Sequence, residues 1–123
     1  MDHQTFAALT KRRTEKNLKV LNDKGEEYSR DGERLAQFKE VGMRKHETPE
    51  KALHGMAEKH NVTIAFAIQD IEAGEYDYID QKWIDAFLGD AHNYLHLLEG
   101  LLAERLMRDR LIRDKGPNTE VRA

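Results

Sequence analysis

The chain has 123 residues, 39% of them hydrophobic and 35% charged, with 23 acids against 20 bases and a formal net charge of −3. That length suits one domain, which buries roughly two thirds of the surface its unfolded form exposes, and leaves no room for a second. The absence of cysteine excludes disulfides and thiolate chemistry, and the interspersed charges create no field that would attract nucleic acid by itself.

A chain free of cysteine is expected in a reducing, cytoplasmic compartment. The start Met1-Asp2-His3 has no basic stretch followed by an apolar run, and no apolar run approaches the roughly 18 residues of a membrane span. Secretion and membrane insertion are therefore not expected. The high charged fraction suits amphipathic helices that share their apolar faces with a second copy, so a homo-oligomer is expected.

Phe6, Leu9, Leu18 and Leu21 fall at loose helical spacing and predict a first helix over about residues 3–24, with Gly25 as its stop. The cluster Ser29-Arg30-Asp31-Gly32 reads as a turn. Leu35, Phe38 and Val41, at three-residue steps, predict a short helix that ends before Gly42.

Thr48-Pro49-Glu50 is a strong helix start, combining a capping hydroxyl, a proline suited to the first position and a carboxylate that complements the positive helix end. From there Leu53, Met56, Ala57, His60, Ile64, Ile68 and Ile71 draw one stripe, which predicts a long helix over about 49–73 closed by Gly74. Asp80 is placed to cap a fourth helix over about 81–115. That helix carries two neighbouring stripes, Ile84, Leu88, Ala91, Leu95, Leu98, Leu102 and Trp83, Phe87, Asp90, Tyr94, Leu97, Leu101, so it sits centrally or spans a dimer. Gly116-Pro117 ends it. The prediction is an all-α bundle of one domain over residues 1–116, built on two long core helices, with a flexible tail over 117–123.

Two polar residues interrupt the stripes. Asp90, between Phe87 and Tyr94, is costly to bury unless it is paired, hydrogen-bonded or bound to a cation; a structural partner such as Tyr94 or Lys59 satisfies it as well as a ligand does. His60 poses the same question on the third helix, where a satisfied core histidine is the plainer reading. If the two long helices pack antiparallel, His60 and Asp90 can face one another. His92 and His96, one helical turn apart near Asp85 and Glu99, are a weak metal signal against a solvated face. Lys11, Arg12, Arg13 and Lys16 read as a solvated basic face more readily than a phosphate patch. No phosphate-binding glycine loop, nucleophile elbow or zinc-deaminase signature occurs.

The segments Leu21-Asn22-Asp23-Lys24-Gly25-Glu26-Glu27-Tyr28, Arg34-Leu35-Ala36-Gln37-Phe38-Lys39, Thr48-Pro49-Glu50, Lys59-His60 and Gly89-Asp90-Ala91-His92-Asn93-Tyr94-Leu95 resemble, in order and spacing, a group of small bacteriophage proteins related to the MazG-like all-α nucleotide pyrophosphohydrolases. The resemblance covers roughly residues 18–104. It implies a MazG-like bundle in which magnesium, held by carboxylate pairs on two helices, grips a triphosphate through oxygen coordination. Asp90 matches the aspartate of the second pair, whereas Phe87 and Ala86 stand where its glutamate is expected. Glu58 and Asn61 occupy the first pair with a single carboxylate, so the implied Mg²⁺ ligands are Asp90 and Glu58, and an active enzyme would need further ligands from Glu26, Glu27 or a second subunit. The catalytic set is depleted.

Two functions follow as expectations. In the first, the chain binds a nucleotide or nucleotide-derived small molecule with weak or no hydrolysis, using Lys59 for phosphate, His60, Asn93 and Tyr94 around the ligand, and Asp90 for a cation or ribose hydroxyl. In the second, it is an interaction protein that docks on and inhibits a host nuclease or defence component. A helical scaffold whose polar residues only fix packing is the plain alternative.

Overall fold

The computed structural model describes residues 1–115; the tail expected at 117–123 lies outside them. The described residues form four helices, α1 (His3–Tyr28), α2 (Ala36–Lys45), α3 (Pro49–Ala73) and α4 (Gln81–Lys115), with no strand beyond an isolated bridge between Arg30 and Glu33. None of these helices is long and apolar enough to cross a membrane.

The ends of α3 and the start of α4 follow the expected chemistry. The Thr48 hydroxyl accepts the Lys51 amide at 3.1 Å, Gly74 takes the left-handed conformation at φ 76°, and the Asp80 carboxylate accepts the Trp83 amide at 2.8 Å. Two other glycines expected as helix stops lie inside helices instead. Gly25 sits within α1, which runs on to Tyr28 and ends where the Ser29 amide and hydroxyl both donate to the Gly25 carbonyl. Gly42 sits within α2, whose end at Lys45 is followed by His46 at φ 56°. A Cβ at residue 42 would lie 2.8 Å from the Glu47 carbonyl oxygen and 3.2 Å from the Pro49 nitrogen. Glycine is needed there for the chain to double back tightly into α3, not to end a helix.

α3 and α4 form an antiparallel hairpin. The bidentate pair from Arg105 Nε and Nη2 to Glu50, at 2.9 and 2.8 Å, pins the open end, and Tyr78 donates to Asp70 near the loop. α2 lies along the same end, where Leu35, Phe38, Leu53 and Leu101 make a small core with Met56, Tyr94, Leu97 and Leu98 packed around it. Lys39 bridges Glu33 and Glu104 at 3.0 and 2.9 Å, tying α2 to α4. Of the two α4 stripes, the one through Trp83, Phe87, Asp90, Tyr94 and Leu101 faces α3. The α3 stripe is buried only in part: Ile68 and Ile71 are exposed, and Ala67 takes the inner position. A small side chain at that point lets the helices approach closely.

α1 packs parallel to the first half of α4 by a different chemistry. Asn17 is its one buried residue. Arg13 and Lys16 both donate to Asp85, Lys16 at 2.7 Å, and Arg12 approaches the same carboxylate at 3.8 Å. Gly89 allows the contact, because a Cβ there would lie 2.9 Å from Arg13 Nη1 and 3.3 Å from Asn17 Oδ1. The basic cluster of the N-terminal helix is thus largely an interhelical clamp.

Candidate functional site

The antiparallel hairpin brings the two stripe-breaking residues together. His60 Nε2 lies 3.7 Å from Asp90 Oδ2, with the imidazole between the rings of Phe87 and Tyr94 at centroid distances of 5.8 and 5.5 Å. The separation is too long for a good hydrogen bond, so the contact is an ion pair only when His60 is protonated. Neither group closes off the other. His60 Nδ1 is buried without a partner, and the Asp90 side chain is 40% exposed.

Asn93, one turn beyond Asp90, is 7% exposed and its Oδ1 also has no partner. A buried amide oxygen left unpaired costs on the order of 1–3 kcal/mol. Burial pushes the Tyr94 hydroxyl pKa upward, and the negative charge of Asp90 adds to the shift.

Asp90, Asn93 and Tyr94 line one cavity of about 160 Å³ to which all four helices contribute side chains. Its apolar floor comes from Leu21, Phe38, Met56 and Leu97, and its rim carries Lys24, Tyr28, Arg34 and Gln37. The cationic side chains on the cavity are Lys24 and Arg34. Neither forms an ion pair among the described residues, and Arg34 makes only a long bond, 3.4 Å, to the Leu21 carbonyl. Gly25 assists, because a side chain there would begin 3.3 Å from Arg34 Nε. A second cavity of about 310 Å³, between α1 and α4, shares Asp90 and Asn93 with the first and adds Asp85, Lys16 and Lys19.

The remaining candidates lie elsewhere. Lys59 and Glu58 are exposed on α3 and line neither cavity; Glu58 lies 3.6 Å from His54. Glu26 and Glu27 are exposed on α1, and His92 and His96 are exposed on α4. Asp85, near those histidines in sequence, is engaged by Lys16, Arg13 and Gln81, whose hydrogen bonds hold its carboxyl well below the usual range.

Among the described residues no three His, Asp or Glu side chains gather as cation ligands do. Asp90 is the sole carboxylate on the first cavity. A protein-built magnesium cage does not fit this donor set; a magnesium ion brought by phosphates, with Asp90 as one of its oxygen ligands, is compatible with it.

Lys24 and Arg34 went unassigned in the sequence because charged residues flanking a turn look like solvent-facing ones. Both fall inside the segments on which the sequence resemblance rests, as do Leu21, Tyr28, Gln37, Phe38, Asp90, Asn93 and Tyr94. No protein-family model, curated protein or solved structure matches the chain.

Proposed function

We propose that the chain is a phage-encoded MazG-like helical protein of the host cytoplasm that binds a nucleotide or nucleotide-derived small molecule, with weak or no pyrophosphohydrolase activity. One observation carries the reading: two cations, Lys24 and Arg34, converge with Asp90 and an unpaired buried Asn93 on one cavity. Polar groups on an apolar-floored cavity are the usual make-up of a small-molecule site. Three of the five segments that carry the resemblance, those over 21–28, 34–39 and 89–95, also line this cavity, whereas Thr48-Pro49-Glu50 and Lys59-His60 do not.

Lys24 and Arg34 take the phosphate role that the sequence gave to Lys59. The apolar floor takes the base, with Asn93 and Asp90 as its polar contacts. At about 160 Å³ the cavity is smaller than the roughly 300–1,000 Å³ of most ligand sites, so it encloses one moiety and leaves the rest at the rim. Magnesium, where it takes part, arrives with the phosphates. The single carboxylate on the cavity favours binding over turnover.

The test is calorimetric titration with a panel of deoxynucleoside triphosphates and monophosphates, with and without magnesium, beside a pyrophosphate-release assay. Asp90→Ala is expected to weaken binding at least tenfold with little change in melting temperature. Lost stability with unchanged binding would make Asp90 a packing residue.

The reading of the chain as an inhibitor of a host nuclease or defence component keeps one specific support, the large apolar side chains left exposed on α3, including Phe66, Ile68 and Ile71. Silence in both assays would favour it. In either case we propose a bundle completed by a second copy of the chain.

A further inference from the structure

One α4 stripe has no partner. Successive helical residues advance by about 100°, which places Ile84, Leu88, Leu95, Leu102 and Leu106 within about 40° of one another on the face between α1 and α3. Leu95, Leu102 and Leu106 are 66%, 44% and 66% exposed, while Ile84 and Leu88 are half-buried beside α1. A seam with steps of four and seven residues along one helix is what a second helix packs against.

The spacing also reads the same in both directions. Leu88 and Leu102 stand seven residues on either side of Leu95, and Ile84 and Leu106 stand eleven, or about 10 and 16 Å along the axis. Turned end for end about Leu95, the stripe falls on itself. An interface between identical chains related by a two-fold axis requires this, because each residue must meet the partner of its own partner. An unrelated protein imposes no such symmetry.

The residues flanking the stripe suit the same arrangement. His92 and Glu99, both exposed, border it on one edge, three residues before and four residues after Leu95. Antiparallel pairing sets the imidazole of His92 in each copy beside the Glu99 carboxylate of the other, where a hydrogen bond can form. Parallel pairing would put the two copies of this edge on opposite sides of the seam, where neither meets the other. Ile84, Leu88 and His92 also line a cleft of about 610 Å³ with Leu9 and Arg12 of α1, which would receive Leu102 and Leu106 of the second copy.

We infer that two copies associate through antiparallel α4 helices on a two-fold axis at Leu95. The inference gives a surface and a symmetry to the self-association proposed above and does not depend on the nucleotide reading.

The full chain is expected to sediment at twice its 14.3 kDa mass, and Leu95→Glu to return it to the single mass with its helical circular dichroism unchanged. Because the chain has no cysteine, engineered thiols report the geometry cleanly. Leu95→Cys should oxidise to a linked pair, whereas Leu88→Cys should link only when mixed with Leu102→Cys. A chain that stays single at every concentration overturns self-association and the seam together. Double mass that survives Leu95→Glu overturns the seam alone, and self-linking of Leu88→Cys overturns the antiparallel pairing.

Discussion

Alanine at Gly42 and alanine at Gly55 should move stability in opposite directions, although both glycines lie inside helices. Replacing a helical glycine by alanine gains about 1 kcal/mol from propensity. At Gly55 nothing lies within 4 Å of the new methyl, so that gain should appear almost whole. At Gly42 the methyl would press on backbone at three points, the Glu47 carbonyl at 2.8 Å and the Thr48 carbon and Pro49 nitrogen at 3.2 Å. Backbone cannot swing aside as a side-chain tip can. The Glu47 amide also donates to the Gly42 carbonyl at 2.8 Å, so relaxation would loosen the α2–α3 connection itself. Overpacking of this kind costs about 1–3 kcal/mol, which leaves a net loss of up to about 2 kcal/mol after the propensity gain. For a chain of this size, each kcal/mol corresponds to roughly 3–6 °C in melting temperature. Thermal melts followed by circular dichroism should therefore place Gly42→Ala several degrees below the parent and Gly55→Ala a few degrees above it. A Gly42→Ala protein that melts at or above the parent would refute the close-approach account of that glycine.

Asp85→Asn should release α1 preferentially, seen as faster amide hydrogen exchange over residues 9–20 with α3 and α4 unchanged. The folded pKa of Asp85 is depressed, so its stabilisation is full above its ordinary value of 3.8 and fades as pH falls through the lower folded value. The acid-side loss of stability below about pH 4 should be shallower in the variant. Leu53→Ala, at a core position, should cost about 2–5 kcal/mol by denaturant titration. Asn93→Leu removes the unpaired amide, so the ligand-free protein should gain about 1 kcal/mol while ligand binding falls; loss of both would mean that the amide is satisfied structurally.

The sequence was most readable where one local rule acts alone. Thr48-Pro49, Gly74 and Asp80 each answer to the capping needs of a single helix end, and each behaves accordingly. Gly25 and Gly42 were misread because a glycine in a helical pattern has two uses, ending the helix or admitting a close neighbour, and only the neighbour distinguishes them. In Gly25 the neighbour is Arg34, and in Gly42 it is the chain entering α3. Within the site, Asp90, Asn93 and Tyr94 announced themselves by breaking or flanking apolar stripes, as did His60, which neighbours Asp90 and Tyr94 but does not line the cavity. Lys24 and Arg34 broke nothing, since their place on the cavity arises from α1 and the turn before α2 meeting over α4. Exposure of Ile68 and Ile71 was equally hidden, because a stripe records which face is apolar and not whether this chain covers it.

The clamp that holds α1 has a consequence for how the cavity exchanges with its surroundings. Three of its walls, from α2, α3 and α4, meet through the packed side chains of Leu35, Phe38, Leu53 and Leu101. The fourth, α1, is held in part by one carboxylate and the basic side chains around it, forces that dissolved ions weaken within a Debye length of about 10 Å at 0.1 M salt. Raising the salt concentration is therefore expected to loosen α1 ahead of the other helices, which amide hydrogen exchange at low and high ionic strength would show.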